Sequence, residues 1–154
     1  MHSGPYDEAQ ARGIIDAAGL LYAGPPMVWR DRSNHAGHRW CVTTLHDRFG
    51  IALPGLTVQF EARAPVRVEA CLFLFSIYRS TKFGRHRVYQ IEVCPEGKRS
   101  HRMPDGTFLF GPHEHWGEPG APVDPLGLTC DDWPGSLREF LRRRPIKNLT
   151  VPDL

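Results

Sequence analysis

Cys71-Leu72-Phe73-Leu74-Phe75-Ser76-Ile77-Tyr78 decides the fold. The run is too short for a buried helix and is rich in aromatic residues, so it reads as a strand. Successive strand side chains alternate between two faces. Here both faces are apolar, so the strand is central and is covered by a helix or by the curl of its own sheet.

Strands continue on either side of it. Arg39 to Asp47 alternates, with Trp40, Val42 and Thr44 on one face and Cys41, Thr43 and Leu45 on the other. Thr57 to Arg63 places Val58, Phe60 and Ala62 together, after a loop at Gly50 to Gly55. Met27 to Arg32 is a short strand. Arg87, Tyr89, Ile91 and Val93 alternate with His86, Val88, Gln90 and Glu92, which predicts a strand with one wet face. Pro104-Asp105-Gly106 is a turn, because Pro pre-sets φ and Gly accepts a left-handed conformation. It joins Lys98–Met103 to Thr107–Phe110 in a hairpin that pairs Met103 with Thr107 and His101 with Leu109.

Helices bracket the strands. Asp7 caps a helix from Glu8 to Ala18, with Ile14, Ile15, Ala18 and Leu21 on one face and Gly24-Pro25-Pro26 ending the pattern. A last helix spans Pro134 to Arg143, capped by Asp131 or Asp132, with Leu137, Phe140 and Leu141 inward and Pro145 ending it. Gly111 to Gly127 reads as a Pro/Gly-rich loop. The fold class is α+β: a curved antiparallel sheet or half-barrel flanked by an N-terminal and a C-terminal helix, in one domain of 154 residues.

No apolar run reaches the roughly 20 residues that span a bilayer, and Met1-His2-Ser3-Gly4-Pro5 does not open a secretory signal. Cys41, Cys71, Cys94 and Cys130 are widely spaced and form no C-x-x-C pair. They read as reduced thiols in a cytoplasmic protein, and their spacing excludes a zinc ribbon.

The net charge of +2 is unevenly spread. Residues 79–102 carry +5, which leaves −3 for the rest. Lys82, Arg85, Arg87, Arg99 and Arg102 in this segment are candidate phosphate contacts, since Lys and Arg supply most non-specific affinity for nucleic acid. Arg142-Arg143-Arg144 with Lys147 forms a second basic group, which would also suit the negative end of a helix dipole.

The chemistry concentrates at Gly111-Pro112-His113-Glu114-His115-Trp116-Gly117. Three readings of its histidines compete. In the first, His101, His113 and His115 bind a divalent transition metal, with His46, Asp47 or Glu118 as other third ligands. In the second, no metal or cofactor takes part. One histidine is the base and another the acid of RNA cleavage, and the basic residues hold the phosphate. In the third, the histidines are structural and Trp116 anchors a loop. A straight chain would leave His113 about 13 Å from the rung of His101, so only a bend at Gly111-Pro112 joins all three.

Other groups carry less. His35 and His38 read as solvated, Cys94 as buried, and Ser76 as bonded to backbone. Asp47 and His46 point to opposite faces of their strand.

His101-Arg102-Met103-Pro104-Asp105-Gly106, then Pro112-His113-Glu114-His115-Trp116, then a closing helix resembles a family of small uncharacterised bacterial proteins. Their pattern is H-x-N-P-D-G, then P-H-x-H with an aromatic, then a terminal helix, and members often lie in prophage neighbourhoods. Met103 stands where that pattern has Asn. The resemblance implies that the histidines form a site, and its context implies a role in toxin–antitoxin or phage–host conflict.

We therefore expect a small metal-independent ribonuclease or nucleotide-directed enzyme using His113, His115 and His101, with a protein partner such as an antitoxin and no membrane. The alternatives are a metal-dependent cupin-like enzyme and a non-catalytic inhibitor or binding protein.

Overall fold

The computed structural model describes residues 4–32, 37–63, 71–123 and 128–154. His35 and residues 124–127 of the expected loop lie outside these, as does the side chain of His101. The described chain is α+β: two helices flank a seven-stranded antiparallel sheet that does not close. No described helix is long and apolar enough to cross a membrane.

Helix α1 is Glu8–Ala18. Asp7 and Gln10 form a reciprocal capping box, with Oδ1 of Asp7 accepting from Gln10 N at 2.8 Å and Oε1 of Gln10 accepting from Asp7 N at 3.0 Å. Gly19, at φ +56°, ends the helix well before Gly24-Pro25-Pro26.

The strands are β1 Arg30–Asp31, β2 His38–His46, β3 Ala52–Arg63, β4 Leu72–Thr81, β5 Gly84–Val93, β6 Arg99–Arg102, β7 Phe108–Phe110, β8 His113–Trp116 and β9 Gly120–Pro122. Their order in the large sheet is β1-β2-β3-β4-β5-β8-β9, so β4 is central as its two-sided apolar pattern requires. β6 and β7 pair separately as the hairpin, with His101 opposite Leu109 and Met103 N donating to Thr107 O at 2.7 Å.

One face of the sheet carries the core. Val58, Phe60 and Ala62 of β3, Phe73, Phe75 and Ile77 of β4, and Tyr89, Ile91 and Val93 of β5 are all buried there. Helix α2, Trp133–Arg143, lies over them, and Asp132 caps it by accepting from Gly135 N. Phe140 stacks on Phe75 at 5.5 Å and meets Phe60 edge-on at 5.7 Å, while Trp133 stacks on Phe75 at 5.0 Å. Each aromatic side chain so buried contributes about 1.5–3 kcal/mol. Helix α1 reaches the same side, where Arg12 lies 4.1 Å above the ring of Trp116.

Several expectations change. Ala52 to Gly55 belongs to β3 and is not loop. The segment after Gly111 contains β8 and β9, because Gly111 at φ +70° turns the chain out of the hairpin and back to the edge of β5. β5 has no fully wet face, since Val88 is 0% and Gln90 7% exposed.

The cysteines are not all reduced: Cys71 and Cys130 form a disulfide. They are 59 residues apart in sequence, but packing of Trp133 on Phe73 brings the start of β4 to the approach of α2. Cys41 and Cys94 are free and buried.

Candidate functional site

The helices leave the other face of the sheet to polar side chains. Register aligns Gln59 of β3, Ser76 of β4, Gln90 of β5 and His115 of β8 in one row across four strands. All four are 7% exposed or less. Gln90 Nε2 donates to Ser76 Oγ at 2.8 Å and to Tyr78 Oη at 3.2 Å. Arg87 Nη1 donates to Gln90 Oε1 at 3.1 Å, and Arg85 Nη1 to Gln59 Oε1 at 2.9 Å. Ser76 therefore has a side-chain partner, where a backbone partner was expected. Buried polar groups need such partners to offset their lost hydration.

In the next row, His113 stands opposite Glu92. Its Nε2 is 3.2 Å from Glu92 Oε2. Its Nδ1 is 3.1 Å from Ser100 Oγ and 3.3 Å from the carbonyl of Gly111. Nδ1 either donates to the Gly111 carbonyl or accepts from the Ser100 hydroxyl, according to the tautomer. Nε2 is placed to donate to the Glu92 carboxylate.

Burial pushes the Glu92 carboxyl above its ordinary pKa, while the charges of Lys98 and Arg87 pull it back in part. His113 and Glu92 thus form a hydrogen-bonded couple on the polar face. The His115 ring centroid lies 4.9 Å from that of His113. Its Nδ1 is 3.1 Å from the carbonyl of Glu118, an acceptor to which a protonated Nδ1 donates. Chemically the pair can offer an acid and a base. Both rings are only 2% exposed.

The β6–β7 hairpin carries Ser100 against this couple. Its outer side presents Phe110, opposite Arg99, and Phe108, opposite Arg102. Phe108 and Phe110 are exposed, at 39% and 59%, and the Arg99 guanidinium sits 4.5 Å over the Phe108 ring. Exposed aromatic rings and arginines thus share the outer side of the hairpin. Alternation in Phe108-Leu109-Phe110 was the available signal for it, and the sequence reading passed over these phenylalanines.

The +5 segment does not form one patch. Lys82 lies beyond the far end of β4, over the Phe83 ring at 5.2 Å, and Arg85 lies 4.1 Å over the Tyr78 ring. From Arg85 to Glu92 the strand runs about 23 Å. Lys82 and Arg85 are therefore at the opposite end of β5 from His113, because the strand separates charges that are close in sequence. Arg87 is held by the carbonyl of Gly117 at 3.0 Å and by the Glu118 carboxylate at 3.6 Å.

The other candidate ligands are also placed elsewhere. His46 pairs with Leu21 and its Nδ1 faces Ala23 N at 3.4 Å, while Oδ1 of Asp47 accepts from the amides of Phe49 and Ile51 in a turn. The Glu118 side chain is 65% exposed and turned to Arg87. Among the described residues, no group of three His, Cys, Asp or Glu side chains is placed to hold a metal ion.

His38 lies 3.7 Å from the Glu61 carboxylate, with a side chain only 12% exposed, and so is not solvated as expected. Cys94 is buried and its thiol is pushed up to about 11 by burial, far from a reactive thiolate at neutral pH. Trp116 packs on Tyr89 at 4.8 Å between Arg12 and Arg144.

No protein family, curated protein or solved structure matches this chain.

Proposed function

We propose that this protein binds RNA or a nucleotide and cleaves its phosphodiester without a metal. One observation carries the reading. The His113–Glu92 couple, with His115 beside it, lies at the base of a hairpin that exposes Phe108 and Phe110 beside Arg99 and Arg102. His115 is the base that takes the proton of an attacking hydroxyl, and His113, hydrogen-bonded to Glu92, is the acid that returns one to the leaving oxygen. Arg99 and Arg102 hold the phosphate backbone while the phenylalanines stack on bases. Lys82 and Arg85 are left to contact a strand extending along β5. His101 remains an auxiliary on the hairpin. A protein partner such as an antitoxin would cover the same hairpin.

The proposed compartment is the cytoplasm, where RNA is found. The Cys71–Cys130 bridge removes the premise of four reduced thiols on which that placement rested, since structural disulfides are uncommon there.

The test is cleavage of total RNA with chelator present. General acid–base catalysis contributes about 10²–10⁴-fold, so His113→Ala and His115→Ala should each lose at least 10²-fold. Charge reversal at Arg99 and Arg102 should raise KM. An unchanged rate in both histidine variants would falsify the proposal.

The burial of both rings favours a second reading, in which the histidines are structural and the protein is a non-catalytic RNA-binding module. That reading expects no cleavage by the wild type, and RNA affinity lost with Phe108→Ala and Phe110→Ala.

A further inference from the structure

A cleft of about 480 Å³ lies between the end of α1, the turn after β2 and the chain leaving α2. Three segments are laced together around it. Leu21 N donates to His46 O at 2.8 Å, Tyr22 N to Lys147 O at 2.8 Å, and Lys147 N to Leu20 O at 3.3 Å. These backbone bonds place Arg48, Arg143, Arg144 and Lys147 around the same space, against the one carboxylate of Asp16. Ile15, Leu20 and Leu21 supply an apolar floor.

Arg143 is committed to Glu139, at 2.9 Å, and faces Glu114 at 3.9 Å. Among the described residues, Arg48, Arg144 and Lys147 enter no ion pair. Arg144 is fixed over the rings of Trp116 and Tyr89, at 4.0 and 4.4 Å, and its Nε is buried with no hydrogen-bond partner in the structure. Three cations gathered against a single carboxylate repel one another, and Asp16 offsets only part of that. An anion in the cleft would relieve this repulsion.

We propose that this cleft binds a small phosphorylated molecule of nucleotide size. Its phosphates would face Arg48, Arg144 and Lys147, and its uncharged part would lie on the apolar floor. The volume suits such a ligand, because pockets for small molecules run about 300–1,000 Å³. The site lies on the helix-covered side of the sheet, away from His113, and stands independently of the proposed cleavage.

The test is calorimetric titration of the full chain with ATP, pyrophosphate and adenosine. ATP should bind one per chain, more weakly as salt rises, and adenosine should not bind. Arg48→Glu combined with Lys147→Glu should weaken ATP at least tenfold, and His113→Ala should leave it unchanged. If the double reversal unfolds the protein, Arg48→Gln with Lys147→Gln gives the same comparison at lower electrostatic cost. Failure of both ATP and pyrophosphate to bind with a Kd below about 1 mM, the weak end of ordinary substrate affinities, or equal ATP affinity in the folded variant, overturns the proposal.

Discussion

Replacing Gly111 by alanine tests the bend that joins the hairpin to the histidine strand. Gly111 has φ +70°, a conformation that costs an L-residue about 1–2 kcal/mol. A Cβ there would lie 2.9 Å from Glu96 Cα and 3.0 Å from Glu96 O, both backbone atoms that cannot rotate away. Relief requires the hairpin to shift, which strains the 2.9 Å bond from Gly111 N to Lys98 O. Losing that bond costs about 1 kcal/mol more.

The total is about 2–3 kcal/mol, and a chain of this size loses roughly 2–4 °C of Tm per kcal/mol, giving a fall of about 5–10 °C. Gly106→Ala is the control. Gly106 has φ +89° in the same hairpin, with nothing within 4 Å of its would-be Cβ, so only the conformational term applies. Thermal unfolding followed by circular dichroism should place Gly111→Ala several degrees below Gly106→Ala. Gly111→Ala should also cut RNA cleavage, because Gly111 O is a partner of His113. Equal melting temperatures, within about 1 °C, would refute the reasoning about close packing at the bend.

Three further outcomes are expected. Replacing Cys71 and Cys130 together by alanine opens a loop closed across 59 residues and should cost about 2–4 kcal/mol in urea unfolding, a loss that a change below about 0.5 kcal/mol would contradict. Burial raises the Cys94 thiol to about 11 and the Cys41 thiol to about 12, from an ordinary 9.0. Above the ordinary value the unfolded chain therefore ionises first. Stability is full below about pH 9 and falls as pH rises toward 11, by up to about 1.4 kcal/mol per pH unit for each thiol, and Cys94→Ala should flatten that slope. Phe140→Ala empties the contact of α2 with Phe75 and Phe60 and should cost about 3–5 kcal/mol in chemical denaturation, with a loss under 1 kcal/mol disproving its place in the core.

Local patterns in the chain carried their own structure. Asp7 and Gln10 mark the start of α1, Pro104-Asp105-Gly106 sets the pairing of His101 with Leu109, and the two-sided apolar run at 71–78 makes β4 central. These signals lie within a few residues, where capping bonds, turn dihedrals and side-chain alternation act directly. The site was legible only in part. The histidines stood out by residue type, but their partners Glu92 and Ser100 did not, because each sits in an unremarkable strand or hairpin position until the bend at Gly111 brings them together.

The sequence by itself determined the helices, the hairpin, the central strand and the clustering of histidines near 113. Tertiary structure alone decided the polar row Gln59–Ser76–Gln90–His115, the Cys71–Cys130 bridge, and the separation of Lys82 and Arg85 from the histidines. The physical reason is register. Which residues face one another across strands depends on how far each strand slides before its core side packs under α2, and no local window of sequence contains that balance.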